Sequence, residues 1–287
     1  MWIAFALGSA FFAGLTAVLA KAGVAKTPSN LATALRTVVV LVSAVAMVFV
    51  VGSQEDIGQI APTTLLFLVL SGLSTGASWL CFFRALQLGP VSRVAAVDKS
   101  SVVLTVLFAI VLLGETESLW TRLAGTVLIA AGTYLMIDRR AWSVPGEGGR
   151  RWLPWAIGSA VFAALTAILG KVGIVEVESN LGTAIRTVVV LVMAWIVVFV
   201  TGEQRSLRAL PRRDLLFIVL SGLATGASWL CYWRAMQDGP ASVVAPIDRL
   251  SILVTVGFAV LMFGERLARR EVIGLVLLTT GTLVMLL

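Results

Sequence analysis

The sequence predicts an all-α, polytopic membrane protein with ten transmembrane helices in two inverted five-helix repeats. Three observations predict it. Apolar runs near 20 residues long recur along the chain, the second half repeats the first at an offset of 150 residues, and the loop basic residues fall almost wholly on one side of the layout.

The first observation sets the class. Of 287 residues, 59% are hydrophobic and 13% charged, whereas a soluble domain carries roughly 25% charged residues. Mean hydropathy is +1.00, and so few charges cannot cover a water-facing surface. A helix rises about 1.5 Å per residue, so about 20 residues cross a hydrocarbon core of about 30 Å. In a bilayer every backbone N–H and C=O needs an internal partner, which leaves helices or closed barrels. The runs do not alternate polar with apolar, so helices remain. The first run starts at Trp2 with no basic stretch before it, and no cleavable signal is expected.

The repeat sets the layout. Ser29–Gly52 matches Ser179–Gly202 at 17 of 24 positions, and Phe67–Glu115 matches Phe217–Glu265 at 29 of 49. Spans 1 to 5 are expected at 2–20, 30–51, 63–87, 93–113 and 119–137; spans 6 to 10 at 152–170, 180–201, 213–237, 243–263 and 269–287. The domain reading is a first repeat over 1–139, a polar, Gly-bearing, basic linker over 140–150 and a second repeat over 151–287. Five being odd, the second copy enters the bilayer upside down.

Charge tests the inversion independently. The linker side carries 15 loop Lys and Arg, the other side only Arg122, Lys171 and Arg234. Loops that correspond between the halves differ in charge: SQEDIGQIAP (53–62) has no basic residue, while 203–212 has Arg205, Arg208 and Arg212. By the positive-inside rule the linker is cytoplasmic and both termini lie outside, in a cell inner (plasma) membrane. The same rule accounts for the net charge of +7, so the bilayer is the expected partner and nucleic acid is not.

The chain has no histidine, and Cys81 and Cys231 lie in matching apolar contexts as packing residues. No nucleophile–base or metal-ligand pattern appears. No enzyme activity, metal or cofactor is expected.

Five-span halves, a Gly-Pro before the fourth span of each half (Gly89-Pro90, Gly239-Pro240) and a Gly-Glu closing it (Gly114-Glu115, Gly264-Glu265) resemble the drug/metabolite transporter superfamily, and specifically its EamA family. The resemblance spans essentially the whole chain. It implies secondary transport, often export, of metabolites or drugs through a central cavity open to each side in turn. Small multidrug-resistance relatives carry a glutamate in the first span; here that span offers Thr16 and its counterpart Thr166, so coupling through that glutamate is not carried over.

Ionisable groups inside spans are costly and point to function. Six occur in two equivalent sets: Arg36, Asp98 and Lys99, and Arg186, Asp248 and Arg249. Arg36 lies about 9 Å deep at helical rise, and the second set is expected to face the other, outer side. One reading pairs Arg36 with Asp98 and Arg186 with Asp248 as buried ion pairs. The other lines the two ends of a pathway with them, as binding or gating groups for an anionic or zwitterionic solute. Thr75, Ser78 and Trp79 share one helix face, as do Thr225, Ser228 and Trp229. Hydroxyls beside an indole suit a cavity for a small amphipathic molecule, or a packed seam.

Gly72 and Gly76, like Gly222 and Gly226, are spaced for close helix packing. Gly125 with Gly132, and Gly274 with Gly281, mark a seam within the chain or between two copies in a homodimer. Pro246 is expected to bend span 9, and Trp2, Trp120, Trp152 and Trp155 to anchor at the membrane interface. The function expected is an alternating-access exporter or exchanger of a small amphipathic or carboxylate-bearing metabolite or drug. A channel, or a fused or engineered repeat protein with little transport, is the alternative.

Overall fold

The computed structural model describes residues 1–23, 27–88, 94, 97, 98, 100–136, 151–263 and 269–287. Lys99, Gly89-Pro90, Gly264-Glu265 and the linker 140–150 lie outside the described residues. The first half holds α1 (Trp2–Gly23), α2 (Ser29–Val51), α3 (Pro62–Leu88), α4 (Ser101–Leu113) and α5 (Leu119–Met136). The second holds α6 (Leu153–Ile174), α7 (Ser179–Thr201), α8 (Arg212–Asp238), α9 (Ala241–Asp248), α10 (Ser251–Phe263) and α11 (Arg269–Val284). A short 3-10 helix follows α2 (Ser53–Gln59) and another follows α7 (Glu203–Ala209).

Among the described residues, seven spans are long and apolar enough to cross a membrane: α1, α2, α3, α6, α7, α8 and the α9–α10 run. Shorter apolar segments lie in α4 and α11. The Val-rich α2 and α7 are helical despite their β-branched side chains, because a lipid-embedded backbone has no water to bond instead.

Span 9, expected as a single run bent at Pro246, is interrupted just past that residue, between α9 and α10. At the break Arg249 N donates to Pro246 O and Leu250 N to Ile247 O, three residues back. Ser100, in a turn just before α4, donates likewise to Val97 O. The first half has Ala96 where the second has Pro246. The break therefore belongs to both repeats and does not require the proline.

The halves interlock by exchanging partners. α1 packs on α8 and α6 on α3, while α2 meets α7 and α5 meets α11. In the α1–α8 pair Ser9 faces Ser228 and Thr16 faces Thr225, so the two helices are antiparallel. α6 and α8 run the same way, being separated by one reversal each way through α7. α1 and α6, the two copies of the first span, thus cross in opposite senses. Inversion is visible in the hydrogen bonds as well as in the charges.

Glycines set the close approaches. A Cβ on Gly72 would meet Val189, and one on Gly222 would meet Val39, its equivalent across the pseudo-twofold. The Gly125/Gly132 seam is within the chain: Gly125 abuts Gly281 O, and Gly132 abuts Gly274 O. Two of the four expected interfacial tryptophans are packed instead. Trp152 is 6% exposed, among Ala85, Val94 and Ala156, and Trp2 is half-buried against Gly239. The reason is shared: each begins the first helix of its half and covers the junction of the third and fourth spans. Trp120 and Trp155 are exposed.

Candidate functional site

Each half-buried aspartate is held by the opposite half. Ser9 on α1 donates to Asp248 Oδ1 at 2.6 Å, and its hydroxyl lies 3.2 Å from that of Ser228. Ser159 on α6 donates to Asp98 Oδ1 at 2.6 Å and lies 3.2 Å from Ser78 Oγ. Two turns along, Thr16 faces Thr225 and Thr166 faces Thr75, each at 3.3 Å. The hydroxyl face expected on spans 3 and 8 is there, and its partners are the first helices of the other half. Ser9 and Ser159 were missed. Each is a lone serine in an apolar run, and only its 150-residue spacing from the other could have flagged it.

The expected ion pairs are absent among the described residues: neither Arg36–Asp98 nor Arg186–Asp248 comes within 4 Å. The serine hydroxyls take the carboxylates, and the arginines go elsewhere. Arg186 is 2% exposed; its Nε donates to Ser71 Oγ at 2.9 Å and its guanidinium lies 3.7 Å from the Trp233 ring centroid. Arg36, its twin, is half-buried and faces a cavity of about 320 Å³. That cavity is also lined by Thr33, Ser78, Trp79, Asp98 and Arg249.

Arg249 is out of its expected place. It belongs to the second set, yet it lines the cavity of the first and donates through Nη2 to Ser101 Oγ at 3.0 Å. The break after Asp248 explains this: the two neighbours diverge, Asp248 toward Ser9 and Arg249 toward Ser101. The described cavity wall thus holds two cations, one carboxylate, an indole and small hydroxyls. It can receive a carboxylate between the arginines and an apolar group on the indole. Lys99 lies outside the described residues. Thr225, Ser228 and Trp229 belong to the other copy, in which Ser228 is buried and Trp229 packs against the core.

The Arg186 end is closed by polar links between and within the halves. Glu115, just past α4, accepts from Ala241 N at 2.8 Å and Ser242 N at 2.9 Å and pairs with Arg122 at 3.5 Å. Gly114, at φ +68°, ends α4 and lets the chain turn there. Lys171 at the end of α6 donates to the carbonyls of Met236 and Gly239, satisfying the end of α8.

Two inverted five-helix halves around a charged, aromatic-walled cavity define a polytopic membrane transporter. A model of the EamA-like transporter family matches residues 1–138 and again residues 150–287. The chain belongs to that family. It is 46% identical over 134 residues to an uncharacterized transporter encoded in the cobO 3' region of Sinorhizobium sp., covering 47% of this chain and 95% of that one. It is 29% identical over 210 residues to human solute carrier family 35 member G1, covering 70% of this chain. The match spans 56% of that relative's length. A solved crystal structure at 18% identity superimposes with a TM-score of 0.79, covering 99% of this chain and 96% of that one; it shares the fold.

Proposed function

We propose that the chain is a secondary carrier that moves a small amphipathic or carboxylate-bearing metabolite or drug outward by alternating access. One observation carries this reading. The same residue set occurs twice about a pseudo-twofold, and its twin arginines differ: Arg36 lines a cavity with Ser78, Trp79 and Asp98, while Arg186 is 2% exposed and packed shut. Exchanging the conformations of the two repeats closes the Arg36 end and opens the Arg186 end, the usual way inverted repeats alternate. The names of two relatives, a transporter and a solute carrier, support a role in transport.

The loop charges support a plasma (inner) membrane topology in which the Arg36 end and the 140–150 linker face the cytoplasm and both termini lie outside. Cysteines introduced within 141–149 label only from the cytoplasm on this topology; labelling from outside reverses it. For transport, the purified protein is reconstituted and loaded with each of a panel of labelled carboxylate-bearing solutes. Saturable flux accelerated by unlabelled solute on the far side is the expected result. A non-saturating conductance, or no flux across the panel, rejects the carrier.

A further inference from the structure

The two ends of the pathway carry the same arginine but not the same cover. At the closed end Trp233 is 3% exposed, stands edge-on to Tyr232 at 5.1 Å, and lies over the guanidinium of Arg186. Its six-membered ring fills the space beside Gly170: a Cβ there would strike Trp233 Cη2 and Cζ3 and come within 2.9 Å of Ser71 Oγ. Ser71 completes the seat. It accepts from Arg186 Nε and donates to Thr166 O at 2.7 Å, which ties α3, α6 and α7 together under the indole. Only glycine admits a ring this close to a helix backbone.

The repeat provides the comparison. Counterparts of Arg186 and Ser71 are Arg36 and Ser221, so the charge and the hydroxyl are duplicated. Those of Gly170 and Trp233 are Ala20 and Phe83. Seat and ring have changed together: the larger indole occurs with the smaller seat, the phenyl ring with the methyl group. A guanidinium is also held better by an indole face than by a phenyl ring.

We infer that Trp233, seated on Gly170, is a gating plug that holds Arg186 out of the pathway and makes the Arg186 end the one that rests closed. The inference deepens the carrier reading and rests on it. Arg186 becomes available to solute only when Trp233 leaves Gly170. At the corresponding positions of the other end the sequence has alanine for the glycine seat and phenylalanine for the indole, so the plug belongs to the Arg186 end and the empty carrier waits open at Arg36. A carrier biased in this way loads at the Arg36 end and needs the solute, or its coupling ion, to lift the plug.

The test converts one end into the other. Reporter cysteines are placed singly at Thr183, buried one turn from Arg186, and at its counterpart Thr33, which lines the open cavity, in a Cys81→Ala/Cys231→Ala background. Labelling rates of purified protein in detergent are measured with a membrane-impermeant maleimide. In the parent, Thr33→Cys labels fast and Thr183→Cys slowly. Gly170→Ala/Trp233→Phe, which copies the other end, raises Thr183→Cys labelling at least several-fold and lowers that of Thr33→Cys. Should that variant not elute as folded protein, Ala20→Gly/Phe83→Trp takes its place. It builds the plug at the opposite end and shifts both rates in the same directions. Unchanged Thr183→Cys labelling in the folded variant overturns the plug. Absence of flux in the unmutated protein overturns the carrier reading, so the two fail separately.

Discussion

Glu115 caps the helix that begins at Ala241, accepting its backbone N–H at 2.8 Å across a gap of 126 residues in sequence. The same carboxylate accepts from Ser242 N and Oγ and pairs with Arg122. The start of α9 has no cap of its own, because Pro240 precedes it and provides no side-chain acceptor. A residue of the first half thus completes a helix of the second. Replacing a capping acceptor by alanine costs about 0.5–2 kcal/mol. Glu115→Ala should lower the melting temperature in detergent, Glu115→Gln less, since the amide oxygen still accepts one N–H. A double-mutant cycle with Ser242→Ala should return a non-zero coupling energy. Additivity within error would show that the contact contributes nothing.

The seam between α5 and α11 has no room for a side chain at Gly132. A Cβ would lie 2.6 Å from Gly274 O and 2.7 Å from Leu278 N, both backbone atoms that cannot rotate away. Gly132→Ala should force the helices apart and cost about 1–3 kcal/mol, as overpacking generally does. Gly58→Ala, with nothing within 4 Å of the added carbon, should change melting by less than about 0.5 kcal/mol. Size-exclusion profiles after a thermal ramp separate the two. Equal midpoints would mean that the seam yields freely.

Much of this architecture was legible in the sequence because it follows from composition and duplication. Apolar length forces helices, an odd number of spans forces inversion, and the glycine pairs mark the seams. What was hidden lies between the halves. Glu115 stood out only as half of a Gly-Glu pair, since nothing local names Ala241 as its partner. Likewise Glu203 caps α2 through Leu31 N, at 3.0 Å, from the opposite repeat, whereas α7 is capped by its own Glu178. Pro28 occupies the Glu178 position in the first half, and the loop of the second makes good the loss. Arg249 and Asp248 were grouped because they are adjacent, and the bend expected at Pro246 is a full helix break that separates them. The ion pairs were inferred from charge alone, which neglects that a serine on another helix can satisfy a carboxylate as well.

The serine–aspartate contacts lead to a paired prediction. Ser9 and Ser159 are both fully buried, and each provides a hydroxyl donor to one aspartate. Ser9→Ala leaves Asp248 short of a donor in the closed end. Ser159→Ala does the same to Asp98, which also faces the cavity, where water can enter. Leaving a buried acceptor unmet costs about 1–3 kcal/mol, and less where water can substitute. Melting should fall further for Ser9→Ala than for Ser159→Ala, while flux falls in both. The reverse order of melting would place the water at the other end.

Arg186 and Arg36 allow a sharper separation of stability from transport. Arg36 stands at a water-accessible wall, so Arg36→Met should leave melting nearly unchanged and abolish flux, with Arg36→Lys keeping the charge and raising KM. Arg186 is different. Its guanidinium is fully enclosed with no carboxylate in salt-bridge range among the described residues, held by one serine and one indole face. Enclosing a charge without a counter-ion costs several kcal/mol, and an apolar side chain of similar volume in such a place is often neutral or stabilising. Arg186→Met should therefore melt at or above the parent temperature and still carry no solute, because the end it would serve can open but no longer bind. The residue is then retained against stability, which is expected of a group whose working state is not the one seen here. A large fall in melting for Arg186→Met would show that the guanidinium is structural and that Ser71 and Trp233 are its permanent partners. Full flux in that variant would remove Arg186 from the pathway altogether.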